Sequence, residues 1–249
     1  MRPYILVFFV GGALCVGAEQ VTGTLLGAYE VRSGLTADPT RDTLLTAFLV
    51  STFVHPGMAL IHVRLARRHP LAVALTGAFV LGLLEIWFLR HGYLRYRVWH
   101  PAVSVTFYFA FLMANWQVFS GRWVLPAWVH VVAMAFWVTG TTTHLLHSVL
   151  GLWQYPVTMR GDPILGSHVV ANLYELLPLI LMAAFVSLVR SKWPRPLLVL
   201  AGALVLLAAQ ALLLATGGVQ FVKWSLWLSA LRYPLELGAV ALYARWIFP

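Results

Sequence analysis

Residues 71–89 read LAVALTGAFVLGLLEIWFL, an apolar run interrupted by a single ionisable side chain, Glu85. A helix rises 1.5 Å per residue and a bilayer's hydrocarbon core is about 30 Å thick, so about 20 such residues cross it. The run has that length, and it shows none of the alternation of a membrane β-strand. It is bounded by ARRHP before and by RHGYLRYRVWH after, both rich in charge and in turn formers.

The same ruler applied outward gives spans over 4–26, 44–66, 71–90, 99–118, 124–147, 164–190, 196–216 and 225–247. The remaining breaks, RSGLTADPTRD, SGRW, QYPVTMRGDP, RSKWPRP and TGGVQFVK, are too short for a soluble domain. The expected fold is all-α: a polytopic transmembrane bundle of about eight spans with short loops, with 1–249 as a single integral membrane domain.

Composition agrees. Of 249 residues, 61% are hydrophobic and 10% charged, against about 25% charged in a soluble domain. Mean hydropathy is +0.82. A soluble enzyme, a disordered chain and a nucleic-acid-binding domain are thereby excluded. The net charge of +9 comes from Lys and Arg scattered through the short connections, which suits anionic lipid headgroups and topology setting. Cys15 is the one cysteine, so neither an internal disulfide nor a CxxC metal site is available.

The first span begins like a signal peptide, and Val16-Gly17-Ala18 resembles a cleavage site. The apolar run continues through VTGTLLGAY, however, so it is expected to remain as a span. Basic loops at 64–68 and 190–195 fall on one side and place the N-terminus inside, in what is expected to be a bacterial inner membrane.

Three helix ends share a pattern. Glu19 precedes Gly27 and Tyr29; Glu85 precedes Gly92, Tyr93 and Tyr96; His144 precedes Gly151, Trp153 and Tyr155. Glycine stops and interfacial aromatics are general features, but an ionisable residue inside the apolar run each time is not. Charges in hydrocarbon are costly and mark functional sites by default. Glu19 and Glu85 lie at one level, about 22 and about 21 Å from the inner ends of their spans. His144 and His147 share a helix face, and His168, Asn172 and Glu175 form one stripe down the sixth span.

These groups are expected to converge on an outward-side intramembrane cavity. The expected function is an enzyme performing acid–base chemistry (cyclisation, hydration or isomerisation) on a lipophilic small molecule, an isoprenoid being the example, taken from the membrane lipids. Glu19 and Glu85 are the expected acid and charge stabiliser, and Glu175 and His144 the candidate bases. Arg90, Arg95 and Arg97, with His147, His168 and Asn172, are the expected substrate-binding residues, the arginines suiting an anionic headgroup. Arg232 and Glu236, four apart in the eighth span, are expected to pair.

No cofactor is expected, and two alternatives stand beside that expectation. His144, His147, His168 and Glu175 make an acceptable divalent-metal ligand set, although HEXXH and HxxHH boxes are absent. The spacing of His55 to His69, repeated by His130 to His144, resembles that of membrane cytochromes b, but the members of each pair differ in depth. His62 and His130 are level and suit one haem. A transporter or non-catalytic subunit is the remaining alternative: His55-Pro56-Gly57 and Pro178 are potential helix breaks, though not in corresponding positions of two evident halves.

Overall fold

The computed structural model describes residues 2–189 and 194–247. Arg190 and Lys192, which bear on orientation, lie outside them. The chain forms two compact units, Met1–Leu125 and Pro126–Pro249.

The first unit contains α1 (Pro3–Leu25), α2 (Pro39–Leu65), α3 (Pro70–Arg90) and α4 (Pro101–Phe119). The second contains α5 (Ala127–Val149), α6 (Pro163–Leu188), α7 (Arg195–Ala215) and α8 (Leu226–Ile247). The first seven helices are long and apolar enough to cross a membrane. The last carries Arg232, Glu236 and Arg245 along its length. The protein is thus an all-α, multi-pass membrane bundle.

Local chemistry sets the boundaries. Asp38 accepts from Arg41 N at 2.8 Å, and Pro39 follows it at the first helical position, where a missing N–H costs nothing. This cap starts α2 five residues before the expected position 44. Asp162 caps α6 in the same way, accepting from Ile164 N and Leu165 N at 2.8 and 3.1 Å, with Pro163 next. Gly27 and Gly151, at φ 57° and 62°, close α1 and α5 in the left-handed conformation that favours glycine.

The expected break at His55-Pro56-Gly57 does not occur; α2 runs through it. A proline frees the carbonyl four residues back and crowds it. A π-helical turn, Val50–Val54, lies directly before Pro56, and another, Asn172–Leu176, lies directly before Pro178. The wider turn accommodates the ring without ending the helix. As expected, the two prolines do not occupy corresponding positions: in the register that aligns Asp38 with Asp162, Pro56 falls on Ile180 and Pro178 on Val54, although each lies just after a π-turn in the second helix of its unit.

The two units nevertheless correspond along the chain. Each unit runs helix, strand, two helices, strand, helix. In the first, β1 (Tyr29–Val31) pairs antiparallel with β2 (Leu94–Tyr96); in the second, β3 (Trp153–Gln154) pairs with β4 (Gln220–Phe221). Arg97 N and Val98 N both donate to Ala28 O, at 2.9 and 3.2 Å. Their counterparts Val222 N and Lys223 N both donate to Leu152 O at 2.9 Å. In constant register, Gly27, Asp38, Pro39 and Ala59 recur as Gly151, Asp162, Pro163 and Ala183. After a one-residue shift, Gly77, Gly92, Trp99, Ser104, Tyr108 and Leu112 recur as Gly202, Gly217, Trp224, Ser229, Tyr233 and Leu237. Such self-similarity marks one supersecondary module used twice.

Within the first unit the helices meet through small and branched residues, Val7, Ala59, Val63, Ala74 and Leu112 among them. At Gly82 a methyl would overlap Val105 Cγ2, so α3 and α4 approach as only glycine allows. The outer faces, such as Leu75, Phe79 and Leu83 on α3, are exposed and apolar, as a lipid-facing surface must be.

Candidate functional site

The first unit encloses a cavity of about 740 Å³. Glu19 and Thr22 reach it from α1, Tyr29 from β1, Ser51 and His55 from α2, Glu85 from α3, and Trp99, Ser104, Phe107 and Tyr108 around α4. Its size is that of a small-molecule site, and its wall is largely apolar with a few placed polar groups. Val54, Leu84, Trp87 and Phe88, also in the lining, are exposed on the outer faces of α2 and α3. The cavity therefore reaches surface that would lie in lipid.

The two carboxyls are held differently. Tyr29 donates its hydroxyl to Glu19 Oε2, and Thr22, bonded back to Ala18 O at 2.8 Å, lies 3.4 Å from the same phenol oxygen. Glu19 falls at the junction where α1 widens into the π-turn Gln20–Leu25. Gly23, inside that turn, leaves the space the carboxylate occupies: a methyl there would overlap Glu19 Oε1. Burial, then the Glu19 carboxylate, pushes the Tyr29 phenol up from its ordinary range, so it remains a donor. Across the cavity, Ser104 Oγ donates to Glu85 Oε1 at 2.8 Å, and Trp99 Nε1 donates to Ser104 Oγ at 2.7 Å. Glu85 Oε2 is buried and accepts no hydrogen bond among the described residues. His55 lies over Tyr108, ring centroids 5.7 Å apart, and Tyr29 meets Trp99 edge-on at 5.9 Å.

The second unit holds a dense polar network instead. Arg232 donates through Nη1 to Glu175 Oε1, through Nε to Glu236 Oε1 at 2.7 Å and through Nη2 to Thr143 Oγ1 at 2.6 Å. All three charged groups are buried. Trp153 Nε1 donates to Glu175 Oε2 at 3.0 Å, and the guanidinium carbon lies 5.3 Å from the Trp153 ring and 5.8 Å from Tyr233. Beside it, His147 Nε2 meets Ser167 Oγ at 2.8 Å and Nδ1 meets Ser148 Oγ at 3.1 Å. Ser148 also bonds His168 Nδ1, and Asn172 Nδ2 lies 3.3 Å from His168 Nε2. The His144 ring stands 4.8 Å from that of His168.

Glu19 and Glu85 thus belong to the first unit, and His144, His147, His168, Asn172 and Glu175 to the second. The expected Arg232–Glu236 pair forms, and Glu175 joins it. Arg95 faces Glu30 across the β1–β2 ladder, and Arg97 pairs with Glu30. Arg90, Arg95 and Arg97 are exposed and outside the cavity lining. His62 and His130 fall in different units. Among the described residues, no group of three or more His, Cys, Asp and Glu is placed to hold a metal ion.

Sequence reasoning missed Ser51, Trp99, Ser104 and Tyr108, and read Tyr29 only as an interfacial aromatic beside Glu19. A signal existed for three of them: the spacing Trp-x4-Ser-x3-Tyr occurs at 99–108 and again at 224–233. In both copies the indole donates to the serine at 2.7 Å. No family model matches the chain, and no curated protein or solved structure does either.

Proposed function

We propose that the first unit is the working half of an integral-membrane enzyme that moves protons on a lipophilic, alkene-bearing substrate of isoprenoid type. One observation carries the reading: two carboxyls from different helices, each with its own hydroxyl donor, face one apolar cavity that reaches the lipid-facing surface.

In this reading Glu19, steadied by Tyr29, gives a proton to an alkene carbon. The carbocation forms at the neighbouring carbon, against the faces of Trp99 and Tyr108. Glu85, as carboxylate, takes a proton from a carbon adjacent to the cation, and the double bond re-forms in a new position. In a cyclisation a second double bond of the substrate first attacks the cation, closing the ring, and Glu85 takes the proton from beside the cation so formed. One proton enters and one leaves, so composition is unchanged and no oxidant is required. Glu85 takes the role of base in place of His144 and Glu175, which the second unit uses internally. Arg90, Arg95 and Arg97 stand at the membrane boundary, and contact with lipid phosphates completes the reading. The setting remains a bacterial inner membrane with the N-terminus inside.

The test is deuterium uptake. The full chain in nanodiscs is incubated in D2O with isoprenoid lipid extract, and the lipids are weighed by mass spectrometry. One lipid class should gain deuterium with the wild type, and Glu19→Gln should lower the rate by about 100-fold or more. No gain in any lipid, or equal gain with the variant, overturns the assignment.

A further inference from the structure

The two units allow the cavity to be read from its copy. In the second unit Arg232 stands in the register of Phe107, which lines the cavity of the first. Of the groups that the guanidinium touches, four stand in the registers of other lining residues: Thr143 in that of Glu19, Trp153 in that of Tyr29, Glu175 in that of Ser51, and Tyr233 in that of Tyr108; the fifth, Glu236, stands in the register of Phe111, outside the lining. Burial supports the alignment through the second helix, since Ala47, Ser51 and Ala59 are buried, as are Ala171, Glu175 and Ala183. Registers that line an apolar cavity in the first unit thus gather around the chain's own cation in the second.

Charge points the same way. The second unit buries Glu175 and Glu236 with Arg232 between them. Glu19 and Glu85 line a cavity to which, among the described residues, no Lys or Arg contributes. In this largely apolar cavity the Glu85 carboxylate, and Glu19 once it has given up its proton, favour a positive group, as do the aromatic faces of Tyr29, Trp99 and Tyr108.

From this we infer that the cavity takes a lipophilic cation, its charged centre held by Glu19, Tyr29 and Tyr108 where the second unit holds the Arg232 guanidinium. Resting on the reading of the cavity as the substrate site, it names the chemical class: a protonated amine on a hydrocarbon body, or a substrate that becomes cationic during reaction. A stable amine reports on both.

The experiment uses the full chain in nanodiscs and a dodecylamine bearing a diazirine on its chain, beside the matching dodecanol. After irradiation, labelled peptides are read by mass spectrometry. The amine should label α1–α4 about thirty-fold or more above the alcohol. Glu19→Gln should remove that preference. Phe107→Arg, which places a guanidinium as the second unit does, should abolish labelling and raise the midpoint of thermal unfolding. Equal labelling by amine and alcohol in the wild type overturns the inference, whatever the variants do. The deuterium assay separates the two readings. Amine labelling without deuterium uptake leaves the cation site and removes the acid–base role. Uptake without preference for the amine does the reverse.

Discussion

Trp99 and Ser104 are locked together: the indole Nε1 donates to the serine Oγ at 2.7 Å, leaving the hydroxyl proton for Glu85 Oε1 at 2.8 Å. The indole has one donor and no acceptor, so the direction of the chain is fixed from Trp99 through Ser104 to the carboxylate. The same Trp–Ser pair recurs in the second unit as Trp224 and Ser229, where the register of Glu85 holds a glutamine, Gln210, rather than an acid. The pair is therefore a feature of the module, and Glu85 is what the first unit adds to it.

Ser104→Ala should consequently act on Glu85 and not on the fold. The variant deprives the carboxylate of the Ser104 hydroxyl while leaving the surrounding helix contacts in place. Deuterium uptake should fall about tenfold or more, the scale of losing a charge-assisted hydrogen bond. The thermal midpoint should change little. Ser229→Ala, the matching change in the second unit, should leave uptake intact. Equal effects of the two variants on uptake would show that the serine acts through general packing.

Gly23→Ala separates helix chemistry from site chemistry. Alanine is a better helix former than glycine by about 1 kcal/mol, so helix propensity alone would raise stability. The methyl, however, would overlap Glu19 Oε1 and turn the carboxyl away from Tyr29. The expected outcome is a protein at least as stable in thermal unfolding whose deuterium uptake is largely lost. Retained uptake would mean that Glu19 works from a second rotamer and that the Tyr29 bond is dispensable.

The fold was legible because hydrocarbon imposes one demand everywhere: runs of about 20 apolar residues with satisfied backbone. Residues 71–89 meet it without any knowledge of their neighbours. Asp38-Pro39 could also have been read, as a cap followed by a proline at the first helical position. The site was legible only in part. Glu19 and Glu85 stood out because charge in an apolar run is rare, and their common level follows from helix rise alone. Which of the other polar groups they meet depends on helix rotation and on the π-turns, and neither leaves a mark in hydropathy. His144 and Glu175 stand out equally in sequence, yet Arg232, which lies far along the chain on α8, is what engages Glu175. The duplication was hidden because the apolar positions of the two units interchange freely. Its signal is confined to glycines, caps and the Trp-x4-Ser-x3-Tyr spacing.

The buried triad of the second unit yields a prediction about stability that does not depend on any substrate. Removing only the cation, in Arg232→Met, leaves Glu175 and Glu236 buried without their partner. Breaking a buried pair in this way costs about 3–5 kcal/mol, because the remaining charge is uncompensated. Removing all three charges together is different, since each desolvation cost disappears with its charge. The triple variant Glu175→Gln, Arg232→Met and Glu236→Gln should therefore unfold at a higher temperature than Arg232→Met alone, and close to the wild type. Thermal unfolding of the detergent-solubilised full chain, followed by tryptophan fluorescence, gives the ranking. A triple variant less stable than Arg232→Met would show that the guanidinium's bond to Thr143 and its place against Trp153 and Tyr233, rather than charge balance, hold the second unit together.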